Sequence, residues 1–211
     1  MSHSNRSSES RSPGQHHGDL RRALLKAAME EIEASDGAAP SLRAVARRAG
    51  VSPGAPYHHF KGKAGLMAAV AMDGFVKLGE QQQLALSEQS APGAQLEAMC
   101  ARYVRFAVDH PRHYAIMFGQ SPMDHDGDED HGLRQAALNR FMQLCKAVAA
   151  AGMLTDEAQI RQRAHLIWSL AHGTVWTISS GMTEELLPEG DDVEVIATRV
   201  ARACVAIAQG P

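Results

Sequence analysis

The chain has 211 residues, of which 45% are hydrophobic and 21% charged, and its formal net charge at pH 7 is -3. This is the composition of a globular protein, and no apolar run approaches the roughly 18 residues that a membrane-spanning helix needs. The N-terminus lacks the apolar segment of a secretory signal, and Cys100, Cys145 and Cys204 are too far apart for a disulfide framework or a zinc knuckle. We therefore expect a cytoplasmic protein with buried, reduced cysteines.

The charge is unevenly distributed along the chain. Residues 1–65 carry a net +4 and residues 66–211 a net -7, and the stretch 40–65 holds five basic residues and no acidic one. A local patch of one sign on a slightly acidic protein indicates a polyanionic partner, although a merely solvated basic face has the same charge. The surrounding sequence pattern has to decide between these two interpretations.

The first third of the chain predicts a tail followed by short helices. Residues 1–18 are rich in serine and are predicted to be a disordered tail. Apolar residues at every fourth position predict an amphipathic helix over 19–36. Ser41 is predicted to cap a helix from Leu42 to Ala49, which Gly50 ends because glycine readily adopts the left-handed conformation.

A second short helix is predicted immediately after that glycine. Ser52 is its expected cap, Pro53 its first residue and His59 its last. Phe60 is expected to pack inward before a turn leads into a long helix. The rest of the chain is also predicted to be helical, at 63–87, 92–109, 111–118, 132–151, 155–182 (capped by Thr155) and 192–208, with a loop at 119–131.

Two short helices joined by a glycine turn form a helix-turn-helix pattern, whose second helix can enter the major groove of DNA. The residues here are similar to the DNA-binding domain of TetR-family transcriptional regulators, which has the pattern A-x-x-A-G-V-S-x-G-x-x-Y-x-x-F-x-x-K-x-x-L. The matching residues are Ala46, Ala49, Gly50, Val51, Ser52, Gly54, Tyr57, Phe60, Lys63 and Leu66. The resemblance covers about residues 18–70.

The resemblance implies an all-α fold with a three-helix DNA-binding domain at 19–65 and a helical ligand-binding and dimerisation domain at 66–211. It implies that Tyr57, His59 and Lys63 contact phosphates and that Arg43 reads a base edge. Pro56 departs from the usual pattern, because its ring disturbs the start of the recognition helix. The full set of expected DNA-contacting residues is Arg43, Ser52, Pro53, Gly54, Ala55, Tyr57, His58, His59, Lys61 and Lys63.

A palindromic operator requires two copies of the recognition helix, so we expect a homodimer. The resemblance implies that the last two long helices of each copy form the interface. The first of them carries a stripe of small and apolar residues beside its core stripe, although both faces could instead be buried within one copy. This second stripe consists of Leu166, Leu170, Gly173, Thr177 and Gly181.

The C-terminal part resembles one TetR branch whose ligand domain carries a Trp-x-x-x-His-Gly signature, here Trp168, His172 and Gly173, together with HPRHYAIMFG at 110–119. The resemblance implies a ligand cavity between helices, although each residue expected to line it could instead belong to the packed core. The expected lining residues are Tyr103, Phe106, Tyr114, Met117, Phe118, Phe141, Met142, Trp168 and His172.

Metal and enzyme chemistry find little support in the sequence. His165 and His172 lie two helical turns apart, about 10 Å, too far to share one zinc ion. The alternating aspartates at 124–130 lack the glycine and the final acid of a calcium loop. We therefore expect no cofactor. The TetR resemblance leads us to expect a repressor that binds an operator and is released from it by a small molecule. A metal- or cofactor-dependent helical enzyme and a helical interaction module without a DNA role remain the alternatives.

Overall fold

The computed structural model describes residues 13–119, 128–186 and 191–210. Within these ranges every regular element is a helix, which confirms the predicted all-α class. The chain divides into two compact units, residues 1–69 and 70–211, where the sequence predicted a division after residue 65. None of the described helices is both long and apolar enough to cross a lipid bilayer.

The first unit begins with α1, which spans Pro13–Ala34. The helix starts six residues earlier than predicted, so residues 13–18 are helical rather than part of a tail, and the predicted tail at 1–12 lies outside the described residues. Proline fits the first helical position because its missing N–H has no helical partner there. The chain leaves α1 through Asp36 and Gly37, both with positive φ.

The helix α2 (Leu42–Arg48) agrees closely with its prediction. The Ser41 hydroxyl accepts a hydrogen bond from the Ala44 N–H at 3.1 Å, as an N-cap should. Gly50 follows with φ of 68°, the left-handed conformation that ends a helix at low cost when no Cβ is present.

The element predicted as a helix over Pro53–His59 is instead a short 3-10 helix, Ala55–His58. In an α-helix beginning at Pro53, residue 56 would donate its N–H to the Ser52 carbonyl. Pro56 has no N–H, so the Ala55 N–H donates to the Ser52 carbonyl instead, at 3.0 Å. Ser52 is therefore not a side-chain cap, and Gly54 occupies the position before the helix.

The long helix α3 (Gly62–Glu88) follows, and its residues from Val70 onward belong to the second unit. The remaining elements of that unit are α4 (Pro92–Asp109), α5 (Pro111–Phe118), α6 (Asp128–Gly152), α7 (Glu157–Ser179), α8 (Thr183–Leu186) and α9 (Val193–Gln209). In that unit α4 packs against α6, α7 and α9.

Several helix boundaries in the second unit differ from prediction. Asp156 rather than Thr155 caps α7, because its carboxylate accepts the Gln159 N–H at 2.7 Å. The helix ends at Ser179, three residues early, before Gly181 with φ of 75°. Most of the predicted loop at 119–131 lies outside the described residues, and α6 begins within it at Asp128.

Small and medium-sized side chains form the core of the second unit. Leu96 and Cys100 of α4 meet Val148 of α6, Ile167 of α7 and Cys204 of α9 in one buried cluster. All three cysteines are buried and free, as the sequence predicted. This core fixes the relative positions of the helices that surround the cavity described next.

Candidate functional site

The helix-turn-helix residues predicted to face DNA lie at the surface of the first unit. Tyr57 is 57% exposed, and Arg43, His58, Lys61 and Lys63 are exposed as well. In the turn, Ser52, Pro53 and Gly54 are exposed, whereas Ala55 and His59 are half-buried. The surface therefore offers phenol, imidazole, ammonium and guanidinium groups around a short proline-containing helix.

Apolar residues on the inner side hold this surface in place. Val45 of α2, Pro56 of the 3-10 helix and Phe60 are buried, and α2 packs against both α1 and the 3-10 helix. The Arg21 guanidinium lies 5.8 Å from the centre of the Phe60 ring, a cation–π distance. Pro56 thus has a packing role that the sequence pattern did not reveal.

The structure separates the basic residues of this segment into two kinds. Arg48 bonds to Glu31 at 2.6 Å and lies 3.7 Å from Glu30, both on α1, and the bond to Glu31 raises the pKa of its guanidinium. Arg43, Arg47, Lys61 and Lys63 have no ion-pair partner among the described residues. These four cations remain available to an external polyanion, whereas Arg48 ties α2 to α1.

A cavity of about 430 Å³ lies within the second unit, between α3, α4, α5, α6 and α7. Its volume falls within the range of small-molecule sites. Six of the nine residues predicted to line it do so: Tyr103, Met117, Phe118, Phe141, Trp168 and His172.

The other three predicted lining residues are placed differently. Phe106 is buried away from the cavity, with its ring 5.0 Å from that of His110. Met142 follows Phe141 by about 100° around α6, so it faces outward and is exposed. Tyr114 does not line the cavity, but its hydroxyl takes part in a hydrogen-bonded cluster with two residues that do.

That cluster joins α4, α5 and α7. The Nδ1 atom of His172 lies 3.0 Å from the Tyr103 hydroxyl and 2.5 Å from the Tyr114 hydroxyl, and the two hydroxyls are 3.2 Å apart. The Trp168 ring stacks on His172 at 5.0 Å. Burial raises the pKa of Tyr103 to about 12 and also raises that of Tyr114, whereas it lowers the pKa of His172. A neutral His172 can therefore accept a hydrogen bond at Nδ1 from one of the two hydroxyls.

A buried histidine lies on α5, where His113 Nε2 is 3.2 Å from an Asp73 carboxylate oxygen. Burial and the nearby Lys77 lower the pKa of His113, although Asp73 offsets part of this effect.

Because the fold lowers the pKa of both His113 and His172, stability is expected to fall as the pH drops below the ordinary histidine value of about 6.5. Below that pH the unfolded chain takes up protons that the folded protein excludes, whereas above it both states are neutral. Urea unfolding at pH 8 and pH 5.5 measures the difference. His172→Gln keeps a hydrogen-bond acceptor that does not titrate. Between pH 8 and pH 5.5 this variant should therefore lose less stability than the wild type does. An equal loss in both proteins would contradict the assignment for His172.

Several lining residues were not predicted. Phe75, Leu78 and Gln82 project from α3, and Arg134 and Arg140 project from α6. The spacing of Phe75, Leu78 and Gln82 is helical, but the same spacing is typical of a core stripe. Only the positions of the neighbouring helices reveal that these residues face a cavity.

The outer face of α7 leaves large apolar side chains at the surface of one copy. Trp176 is 61% exposed, and Leu166 and Leu170 are exposed as well. A Cβ added at Gly173 would meet no atom within 4 Å. This face therefore has no packing partner among the described residues of the same chain, which argues against the alternative that α7 buries both faces internally.

No group of three or more metal-ligating side chains occurs in the part of the chain that the structure describes. His165 and His172 both line the cavity, and His110 and His113 contact each other through their rings, 5.9 Å apart. The aspartates at 124, 126, 128 and 130 have no described side chains.

Comparison with known proteins gives matches to both units. A family model for the C-terminal domain of tetracyclin repressor-like proteins matches residues 96–204, and one for bacterial regulatory proteins of the tetR family matches residues 24–70. An uncharacterized helix-turn-helix transcriptional regulator of Bacillus subtilis strain 168, YobS, is 28% identical over 97 residues, which are 46% of this chain and 50% of YobS. The match thus spans only about half the length of that curated relative.

Solved structures share the fold over most of the chain. A Rhodococcus sp. RHA1 protein of unknown function is 28% identical, with a TM-score of 0.73 over 92% of this chain and 97% of that one. A tetR-family regulatory protein from Rhodococcus RHA1 is 20% identical, with a TM-score of 0.64 over 90% and 96%. The fatty acid degradation regulator FadR from Bacillus halodurans is 13% identical, with a TM-score of 0.68 over 93% and 97%. At these last two identities the likeness concerns the fold alone.

Proposed function

Because this chain belongs to the TetR family of bacterial regulatory proteins, we propose that it acts in the cytoplasm as a homodimeric repressor. It binds a palindromic operator and releases the DNA when a small molecule occupies the cavity of the second unit. Its place in the branch with the Trp-x-x-x-His-Gly signature is part of the same proposal.

The unpaired cations around the helix-turn-helix carry the DNA-binding part of this proposal. Arg43, Lys61 and Lys63 are exposed and have no ion-pair partner among the described residues, while Tyr57 adds an exposed hydroxyl. Lys63 lies in the first turn of α3, where free backbone N–H groups also attract phosphate. Few side chains of the 3-10 helix can bond base edges, so DNA shape contributes to recognition.

The exposed face of α7 supports the homodimer. One recognition element reads too few base pairs, whereas two copies related by a two-fold axis read half-sites about 34–36 Å apart. Leu166, Leu170 and Trp176 supply apolar contact area, and Gly173 leaves room for a close approach of a second helix. We place the interface on α7 together with α9.

The cavity supports regulation by a ligand. It is largely apolar with a few polar groups, as small-molecule sites generally are. A ligand alters DNA affinity only if it binds the DNA-competent conformation and another conformation with different affinities. Bound DNA must then weaken ligand binding by the same factor.

Genome-wide selection of bound DNA fragments would identify the operator, and mobility-shift titration would then measure the affinity of this sequence. We expect one palindromic site to be preferred strongly over unrelated duplexes. Absence of binding to any duplex would leave the interaction module as the better interpretation.

Lys63→Ala and Arg43→Ala are expected to affect operator binding differently. Loss of a phosphate contact at Lys63 should weaken binding to all sequences equally. It should also reduce the slope of the logarithm of the binding constant against the logarithm of the salt concentration by about one per half-site. Loss of a base contact at Arg43 should cost about 1–3 kcal/mol and relax the preference at one base position. Mobility shifts on the operator and its single-base variants, at several salt concentrations, measure both effects.

Lys146→Ala on α6 removes an exposed cation from the other unit and should change neither quantity. If the Lys63 variant changed the preference among bases while leaving the salt dependence intact, the phosphate role of Lys63 would be wrong.

A further inference from the structure

The charge of the cavity lining is one-sided. Its charged groups are the guanidinium groups of Arg134 and Arg140, and none of the described lining residues is acidic. Neither arginine has an ion-pair or hydrogen-bond partner within the described residues. Arg134 is exposed, so water screens its charge, whereas Arg140 is half-buried and less screened.

A glycine on the facing helix accommodates the Arg140 side chain. A Cβ built at Gly79 of α3 would lie 2.2 Å from Nη1 of Arg140 and 3.0 Å from its Cζ atom. The guanidinium of Arg140 therefore crosses from α6 and lies over the α3 backbone where a side chain is missing. Any larger residue at position 79 would displace the guanidinium.

Gln82, less than one turn beyond Gly79, supplies an unsatisfied polar group. Its side chain lines the cavity and is only 7% exposed. Its Oε1 atom is buried and has no hydrogen-bond partner in the described structure. A buried polar atom without a partner is costly, and most such atoms in native proteins find one. The amide can rotate by 180° to present either a donor or an acceptor to a ligand.

Aromatic side chains surround the other part of the cavity. Phe75 lies seven residues before Gln82 on α3, which is about 10 Å along the helix axis. Its ring contacts that of Phe118 at 5.6 Å, and Phe118 lies 5.1 Å from the His172 ring. The cavity thus has an aromatic region about 6–10 Å along α3 from the level of Arg140 and Gln82.

We propose that the cavity binds an amphiphilic monoanion: an apolar body ending in a carboxylate, with the carboxylate on the Arg140 guanidinium and the Gln82 amide. The apolar body extends towards Phe75 and Phe118. This inference rests on the proposed function of the cavity as a ligand site. A carboxylate matches the planar fork of arginine and supplies the missing partner for Gln82 once its amide is rotated.

Isothermal titration calorimetry of the full protein chain with three probes of equal alkyl length tests this assignment. Octanoate carries a carboxylate, 1-octanol is neutral, and octylamine is cationic. Octanoate is expected to bind at least tenfold more tightly than 1-octanol, and octylamine more weakly than either. Equal affinities for octanoate and 1-octanol, or no binding of octanoate, would overturn the proposal.

Two variants test the residues. Arg140→Met keeps the apolar stem and should weaken octanoate roughly tenfold or more while leaving 1-octanol within twofold. Lys146→Met on the same helix removes an exposed cation outside the cavity and should change neither affinity.

Gly79→Ala keeps the charge of Arg140 but displaces its guanidinium, so it should also weaken octanoate. The same change favours the helix, so the melting temperature should stay level or rise while the anion affinity falls. A purely structural role for Gly79 would not produce opposite effects on stability and affinity. If octanoate binding were unchanged in both Arg140→Met and Gly79→Ala, the anion site would be refuted.

Operator release separates this inference from the function on which it rests. If octanoate binds with the expected dependence on Arg140 but leaves the operator complex intact, the anion site is supported. The hypothesis that this ligand releases the operator is then wrong. If 1-octanol releases the operator and Arg140→Met leaves octanoate affinity unchanged, regulation by a ligand is supported and the anion site is refuted.

Discussion

Trp176→Glu in α7 is expected to separate the proposed dimer into single copies and to weaken operator binding by more than a hundredfold. Trp176 is 61% exposed in one copy. A large aromatic residue at the centre of an interface commonly contributes 2 kcal/mol or more to binding. The glutamate adds the cost of burying an unpaired charge, so a loss beyond about 2.7 kcal/mol, a hundredfold, is expected.

Sedimentation equilibrium measures the assembly, and mobility shift on the operator measures its consequence for DNA. Val76→Glu introduces the same charge at a similarly exposed apolar residue, 52% exposed, on α3. This control should remain dimeric and bind DNA normally. A Trp176→Glu protein that stays dimeric would place the interface elsewhere.

Gly152→Ala at the end of α6 is expected to lower the free energy of unfolding by about 1–3 kcal/mol. A Cβ at this position would lie 2.1 Å from the Ala208 carbonyl oxygen of α9 and 3.0 Å from Cγ of Leu154. The backbone oxygen belongs to a helix and cannot rotate away as a side chain would. The two helices must therefore separate, which disturbs the core cluster that they share.

Thermal unfolding should show a melting temperature lower by roughly 2–4 °C for each kcal/mol lost. Gly132→Ala in the same helix is the matched control, because its Cβ would meet only Cε of Met72 at an ordinary 3.6 Å. That variant should be neutral or slightly stabilised, since alanine favours the helix. Equal stability of the two variants would show that α6 and α9 can adjust at little cost.

Local signals in the sequence predicted the helices well where a cap or a breaker is chemically distinct. Ser41, Gly50 and the His110-Pro111 pair act as expected because each changes the backbone hydrogen bonding of its own turn. The recognition helix was predicted with the wrong type and length. The sequence indicated that Pro56 would disturb this helix. The resulting 3-10 helix forms because the Ala55 N–H replaces the missing Pro56 N–H as the donor to the Ser52 carbonyl.

The cavity shows what helical spacing cannot determine. An apolar residue that faces a cavity and one that faces the core have the same periodicity, so Phe106 was assigned to the cavity although it packs elsewhere. Arg140 and Gln82 went unrecognised because polar residues in a helix are expected to face water. Their position becomes evident only when α3 and α6 are placed side by side.

The buried thiols have a consequence for oxidative chemistry. Oxidants attack the thiolate form of cysteine. A hydrogen bond with the thiol of the fully buried Cys204, together with burial, raises the pKa of Cys100 well above its ordinary value. Burial likewise raises the pKa of Cys145. Both thiols therefore remain protonated while the protein is folded, so peroxide or a disulfide meets unreactive sulfur at these two positions, even at Cys100, which lines the cavity.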